Sequence, residues 1–153
     1  MRNLLAAALF FLIAGPAAAK PHCTFRVHLT ANENDGEIFA QPVRSLSGKP
    51  VHIERTAWIS ENDVIAFYPY KSTDRATYGA LLQLDDHGRT ILDTLSVEHR
   101  GSTLFIFVNG RPLTELLVDK RVSDGKMYVP GGLTEADIKL MAKDWKLLGR
   151  KKK

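Results

Sequence analysis

The stretch GSTLFIFVNGRPLTELLV, Gly101 to Val118, decides how the rest of the chain is read. Leu104–Val108 is apolar at every position, the pattern of a central strand covered on both faces. Asn109-Gly110 follows at once. A two-residue type I′ turn needs positive φ at both central positions, which Asn and Gly accept at little steric cost. Leu113–Val118 then returns antiparallel to the first strand. Nothing in this hairpin is equipped for chemistry, so it is expected to be core, with function on the surfaces it supports.

Working outward, Arg89–His99 places Ile91, Leu92 and Leu95 on one face and reads as a short helix stopped by Gly101. Tyr78–Leu84 before it reads as a strand ended by the turn Asp85-Asp86-His87-Gly88. On the other side, Met127–Val129 is a further strand. Thr134 is placed to cap the amide of Asp137, and Leu133 to pack on Ile138 across the first turn. Ile138, Met141, Ala142, Trp145 and Leu148 recur at helical spacing, with Gly149 as the stop.

Toward the N-terminus, Phe25, Val27 and Leu29 alternate with Arg26, His28 and Thr30, the period of a half-buried strand. Ala31–Glu37 is a polar turn, with strands expected at Glu37–Ala40 and Val51–Arg55 around the loop Arg44–Pro50. Ser60-Glu61-Asn62-Asp63 reads as a short helical turn with Ser60 as cap and Asp63 at its third position. Val64–Tyr70 is a β-branched and aromatic strand in which Pro69 marks an edge or an end. The pattern predicts an α+β fold, two helices packed on one face of a mostly antiparallel sheet.

The chain has 153 residues and a formal net charge of +4. Its start has the layout of a secretory signal peptide: Met1-Arg2, the apolar run Leu4–Ala14, then Gly15-Pro16 and the small residues Ala17-Ala18-Ala19. The run is short for a span of about 20 residues, which favours cleavage after Ala19 over a retained anchor. The expected organisation is a signal peptide at 1–19, a single domain at 20–149 and a basic tail at 150–153. The expected location is outside the membrane, periplasmic or extracellular, with no transmembrane segment after cleavage. The tail Arg150-Lys151-Lys152-Lys153 holds much of the excess charge and leaves the body near neutral. No aromatic and basic stripe accompanies it in the sequence, so no nucleic-acid partner is expected. Cys23 is the single cysteine, which excludes an internal disulfide. Lys20-Pro21-His22 before it is unlike a lipid-attachment site.

Catalytic, metal and cofactor motifs fail on their spacing, so no catalytic, metal-binding or cofactor-binding residue is expected. If Gly36 were the glycine of a calcium loop, its first and last ligand positions would be Ala31 and Pro42; for Gly88 they would be Gln83 and Thr94. None is a carboxylate. Gly48-Lys49 lacks the upstream glycine and the hydroxyl of a phosphate loop. Ser123-Asp124-Gly125-Lys126 matches a Ser-x-x-Lys pattern but sits in a turn before a strand, not at a helix start. His22, His28, His52, His87 and His99 show no i,i+4 pair and no Cys/His spacing; His28 and His52 meet only if their strands are neighbours. Glu33, Asp35, Glu37, Asp85 and Asp86 cannot be paired for acid–base work from sequence.

The C-terminal half resembles the head part of the first large periplasmic domain of SecD, the accessory subunit of the bacterial protein-export channel. The resemblance runs from Ile59 to Leu148. Leu84–Leu92 is similar to the family's strand, acidic turn, glycine and helix start. Leu95–Gly101 is similar to its helix end, with Ser96 for Thr and His99 for Asn. Leu104–Leu113 is similar to its hairpin. Val122, Gly125 and Val129 match its I…G…I spacing, and Gly132–Asp137 its entry to the final helix, with Leu133 for Phe. Ile59–Pro69 is similar to the segment before this region. The resemblance implies a non-catalytic surface that contacts emerging precursor polypeptide on the outer side of the membrane, so the expected role is to bind polypeptide or to dock on an envelope or protein-export complex. It does not imply the SecD motor, which needs membrane helices with proton-coupling acids. Two other readings stay open on the sequence: a structural or inhibitory envelope module, and a small exported enzyme built on the histidines and acidic turns.

Overall fold

The computed structural model describes residues 22–149. The expected signal peptide and basic tail lie outside these residues. The strands are β1 (Phe25–Leu29), β2 (Ala40–Arg44), β3 (Pro50–Glu54), β4 (Ile59–Ser60), β5 (Val64–Lys71), β6 (Tyr78–Leu84), β7 (Thr103–Val108), β8 (Arg111–Leu117), β9 (Lys126–Leu133) and β10 (Lys146–Leu147). Helix α1 spans Asp86–Glu98 and α2 spans Glu135–Asp144, and single 3-10 turns occupy Glu33–Asp35 and Glu61–Asp63. The fold is α+β with mostly antiparallel strands. These strands divide between two four-stranded sheets, ordered β4-β1-β7-β8 and β10-β5-β6-β9, and a separate β2-β3 ribbon, where the sequence suggests one sheet.

The hairpin forms as its residues require. Asn109 has φ 51° and Gly110 φ 76°, and Val108 pairs with Arg111. Strand β7 is central, flanked by β1 and β8. Leu104, Ile106 and Val108 face one core shared with Val27 of β1, with Leu82 and Val129 of the second sheet, and with Leu95 and Met141 of the helices. Phe105 is buried outside that core. The ribbon serves the outer side of the first sheet: Thr30 bridges Ile53, and the Nδ1 of the buried His28 donates to the Glu54 carbonyl at 2.8 Å. This explains a strand that is apolar on both faces.

Four expectations change. Residues 37–39 form a turn and β2 begins only at Ala40, because Gly36, at φ 76°, accepts the amides of Phe39 and Ala40. Asp85–Gly88 is not a loop but the start of α1: the Asp85 carboxylate accepts the Gly88 amide at 2.8 Å, so the helix begins at Asp86 rather than Arg89. Strand β9 runs on past Val129 to Leu133. Helix α2 stops at Asp144, not at Gly149, and Ala142 is exposed. Trp145 turns extended to set its ring edge-on to Phe25 (6.5 Å) and Phe67 (6.2 Å). The next residues then become β10, paired parallel with Ala66 and Phe67.

Candidate functional site

Strands β8 and β9 are each the last strand of their sheet. Each therefore keeps one row of backbone N–H and C=O groups outside its ladder. The two strands meet at Leu113 and Gly132. Gly132 has φ 89°, and a Cβ there would lie 3.0 Å from Leu113 Cδ1 and 3.3 Å from its carbonyl oxygen, so only glycine allows this approach. Between the other halves of these strands, Leu116–Val118 and Lys126–Tyr128, a groove of about 290 Å³ opens. Its floor is apolar: Leu92 and Leu95 of α1, Leu104 of β7, and Val122. One end is fixed by the segment after β8. The Val122 amide donates to Ser96 Oγ at 2.9 Å, and Arg121 grips Asp93 with two bonds of 2.6 and 2.8 Å. At the rim, Leu117 and Tyr128 are 63% and 60% exposed.

Two buried carboxylates organise the frame around the groove. Asp137 accepts the Thr134 amide and hydroxyl, each at 2.8 Å, the Asn109 side-chain amide at 2.7 Å, and the Arg111 guanidinium. Burial raises its pKa; the Thr134 bonds, Asn109 and Arg111 more than reverse this and hold it below the usual carboxylate range. The hairpin turn is thereby tied to the start of α2. It is also tied to the N-terminal segment, since Asn109 accepts the Thr24 amide and donates its own amide to Thr24.

Asp63 does the equivalent at α1. It accepts the Ser60 amide at 2.7 Å, the Ser60 hydroxyl at 3.1 Å and His87 Nδ1 at 2.7 Å. Its carbonyl accepts the Asp85 amide at 2.8 Å. Asp63, Asp85 and His87 are the one group among the described residues whose potential metal-ligand atoms all lie within 4.8 Å of one another. The sequence points to Asp85 and His87 as candidates, but to Asp63 only as the third residue of the turn that Ser60 caps. No local signal joins Asp63 to His87.

The other histidines go elsewhere. His22 meets Asp144 at 3.0 Å, His52 lies in β3 opposite Pro42, and His99 caps the end of α1 beside Trp58. His28 donates to the Glu54 carbonyl, and among the described residues no hydrogen bond joins it to the His52 side chain. The Gly88 segment is helix, and Ser123–Gly125 leads into β9, which begins at Lys126. Cys23 is 1% exposed, and burial, followed by Asp137, Asp144 and Glu61, pushes its thiol up to about 12. A thiol held neutral in this way is a poor nucleophile.

Fold and groove together define a small α+β domain with paired sheet edges. No family model and no curated protein matches the chain. Solved structures do. A SecDF structure in a super-membrane-facing form matches 81% of this chain with a TM-score of 0.56 and 11% identity, and the chain spans 19% of it. A structure of SecDF, described as a membrane component that enhances protein export, matches 86% of this chain with a TM-score of 0.55 and 10% identity, the chain covering 69% of it. The chain thus resembles a segment of SecD in three dimensions as well as in motif order. At this identity the likeness is one of fold. Among the described residues no helix is long and apolar enough to cross a membrane.

Proposed function

We propose that this chain is a non-catalytic, exported SecD-head-like domain that binds extended polypeptide in the groove between β8 and β9. The observation that carries the reading is an apolar floor lying between two sheet edges. An extended segment placed there finds backbone partners on the strand edges and a pocket for alternate side chains, the physics of β-strand addition. The volume sits at the lower bound of pockets that enclose small molecules, about 300 Å³, and suits one or two apolar side chains. The exposed Leu117 and Tyr128 extend the apolar surface beyond the mouth. The best-placed carboxylates, Asp63 and Asp137, are engaged in holding helix starts, which supports a binding role over acid–base chemistry.

The test is photo-crosslinking from position 117 of the purified protein to a reduced, alkylated polypeptide that cannot fold, with the same polypeptide in its native state as control. The unfolded form is expected to crosslink and the native form not. Leu116→Lys places a charge in the groove and is expected to lower the yield at least about tenfold in protein that circular dichroism shows to be folded. A folded Leu116→Lys protein that crosslinks like wild type would sink the proposal.

A further inference from the structure

The second sheet has an outer face that meets the groove only along β9, at Lys126 and Tyr128. Side chains on one rung of a sheet point to the same side. Phe67, Leu82 and Met127 share a rung and are buried in the core. The flanking rungs therefore point outward. One reads Lys146, Ala66, Gln83, Lys126 across β10, β5, β6 and β9; the next reads Tyr68, Leu81, Tyr128. Both lysines are exposed, Tyr68 is 52% and Tyr128 60% exposed, and Leu81 is half-buried between them.

The electrostatics of this face are one-sided. Strands β5, β6, β9 and β10 contain no Asp or Glu at all. Among the described residues neither Lys126 nor Lys146 takes part in an ion pair. In the sequence, the basic residues Arg150-Lys151-Lys152-Lys153 follow β10 within three residues of Leu147. Two lysines on one rung and two tyrosines around a leucine on the next thus belong to one face of the sheet.

We propose that this face is a peripheral docking surface for an anionic membrane leaflet. Tyrosine, with an apolar ring and a polar tip, is the side chain suited to the headgroup boundary. Lysine stems lie along apolar surface while their ammonium groups reach phosphate. An anionic leaflet attracts juxtaposed cations additively, by about fivefold in affinity for each lysine or arginine near the surface. A single-stranded nucleic acid also seeks aromatic and cationic groups, but it needs successive stacking platforms. Here the residue between the two tyrosines is an aliphatic leucine with no stacking face, which favours lipid.

The experiment is flotation of the purified protein with vesicles of phosphatidylcholine alone and with vesicles of equimolar phosphatidylcholine and phosphatidylglycerol. Binding is expected only to the second, falling as salt is raised. The double variant Lys126→Gln/Lys146→Gln is expected to bind about 25-fold more weakly, and Tyr68→Ala to weaken binding further. Tyr68 and Lys146 do not line the groove, so polypeptide crosslinking by Tyr68→Ala and Lys146→Gln proteins stays at the wild-type level. All these positions are exposed, so melting serves as a check that the variants fold. Three results would each overturn the proposal. One is no flotation with anionic vesicles. Another is wild-type flotation by the double lysine variant with loss only on removal of residues 150–153. The third is binding to a single-stranded oligonucleotide in place of vesicles.

Discussion

Replacing Asp137 with alanine removes the acceptor that joins α2 to the hairpin turn. The carboxylate is 5% exposed and accepts the Thr134 amide, the Thr134 hydroxyl, the Asn109 side-chain amide and Arg111. Each hydrogen bond to a buried charge contributes about 1.5–3 kcal/mol, and the reciprocal cap about 1 kcal/mol. Arg111 is partly exposed, so its share is discounted for solvent screening. The variant also leaves the Thr134 and Asn109 donors without a partner. The expected loss is about 3–5 kcal/mol, in line with removing one member of a buried charged pair. For a domain of this size that is a fall of about 10–20 °C in melting temperature, measured by circular dichroism and checked by urea titration. Asp137→Asn keeps an acceptor without the charge and is expected to lose about half as much. Because the folded pKa lies below the unfolded value of about 3.9, the contribution is present above that pH and disappears as pH falls through the folded pKa. The gap between wild type and variant is therefore expected to narrow below about pH 4. A loss under about 1 kcal/mol at neutral pH would refute the account. So would full additivity with Asn109→Gly, since the two side chains are bonded to each other.

Asn109→Pro cannot hold φ 51° and loses the amide bond to the Thr24 carbonyl; about 3 kcal/mol or more of stability is expected to go, and an unchanged melting temperature would contradict the turn assignment. Gly88→Ala adds a Cβ that would lie 2.9 Å from Asp63 Cβ and 3.1 Å from Leu84 Cβ. It is expected to cost about 1–3 kcal/mol despite the better helix propensity of alanine, and a stabilised variant would show that α1 does not close on Asp63. The hydrogen bond and charge of Asp63 raise the His87 pKa, so its contribution is full below about pH 6.5 and is lost as pH rises through the folded pKa. Between pH 6 and 8 the melting temperature should fall more steeply for wild type than for His87→Gln, and equal slopes would rule the pair out. Cys23 is expected to resist iodoacetamide in the folded protein and to react on unfolding, as followed by mass spectrometry; rapid alkylation under native conditions would disprove its burial.

The parts of this fold legible in the sequence are those fixed by neighbours along the chain. Asn109-Gly110 specifies its turn because the φ values are a property of those two residues. The Thr134 cap and the Ser60–Asp63 turn close bonds within three residues. The start of α1 was not legible, because Asp85-Asp86-His87-Gly88 has the composition of a turn. What makes it a helix entry includes Asp63, which lies 24 residues before the His87 it binds. The end of α2 was hidden for a related reason: Trp145 continues a helical apolar stripe, and only its packing on Phe25 and Phe67 shows why the backbone leaves the helix there. The candidate site was less legible still. Leu116 and Met127 look like ordinary strand residues, and the groove exists because two different sheets end beside each other. The face of lysines and tyrosines follows the same logic, since each strand shows its residues but only the pairing of β10, β5, β6 and β9 aligns them.

The tripeptide Glu-Asn-Asp separates local from tertiary causes within one chain. It occurs at Glu33–Asp35 and again at Glu61–Asp63, and both copies form a single 3-10 turn. In both, the third residue accepts the amide of the residue before the turn: Asp35 from Asn32 at 3.0 Å, Asp63 from Ser60 at 2.7 Å. The backbone is therefore set by the tripeptide and its cap. The consequences diverge completely. Asp35 is exposed, whereas Asp63 is buried beneath His87 and Gly88 and has its carbonyl on the amide of Asp85. Nothing inside the tripeptide distinguishes them. The second copy is followed directly by β5, which enters the core sheet, and that connection carries its aspartate to the start of α1. A residue's local conformation was thus readable here from about four positions of sequence, while its role depended on which distant element the sheet topology brought against it.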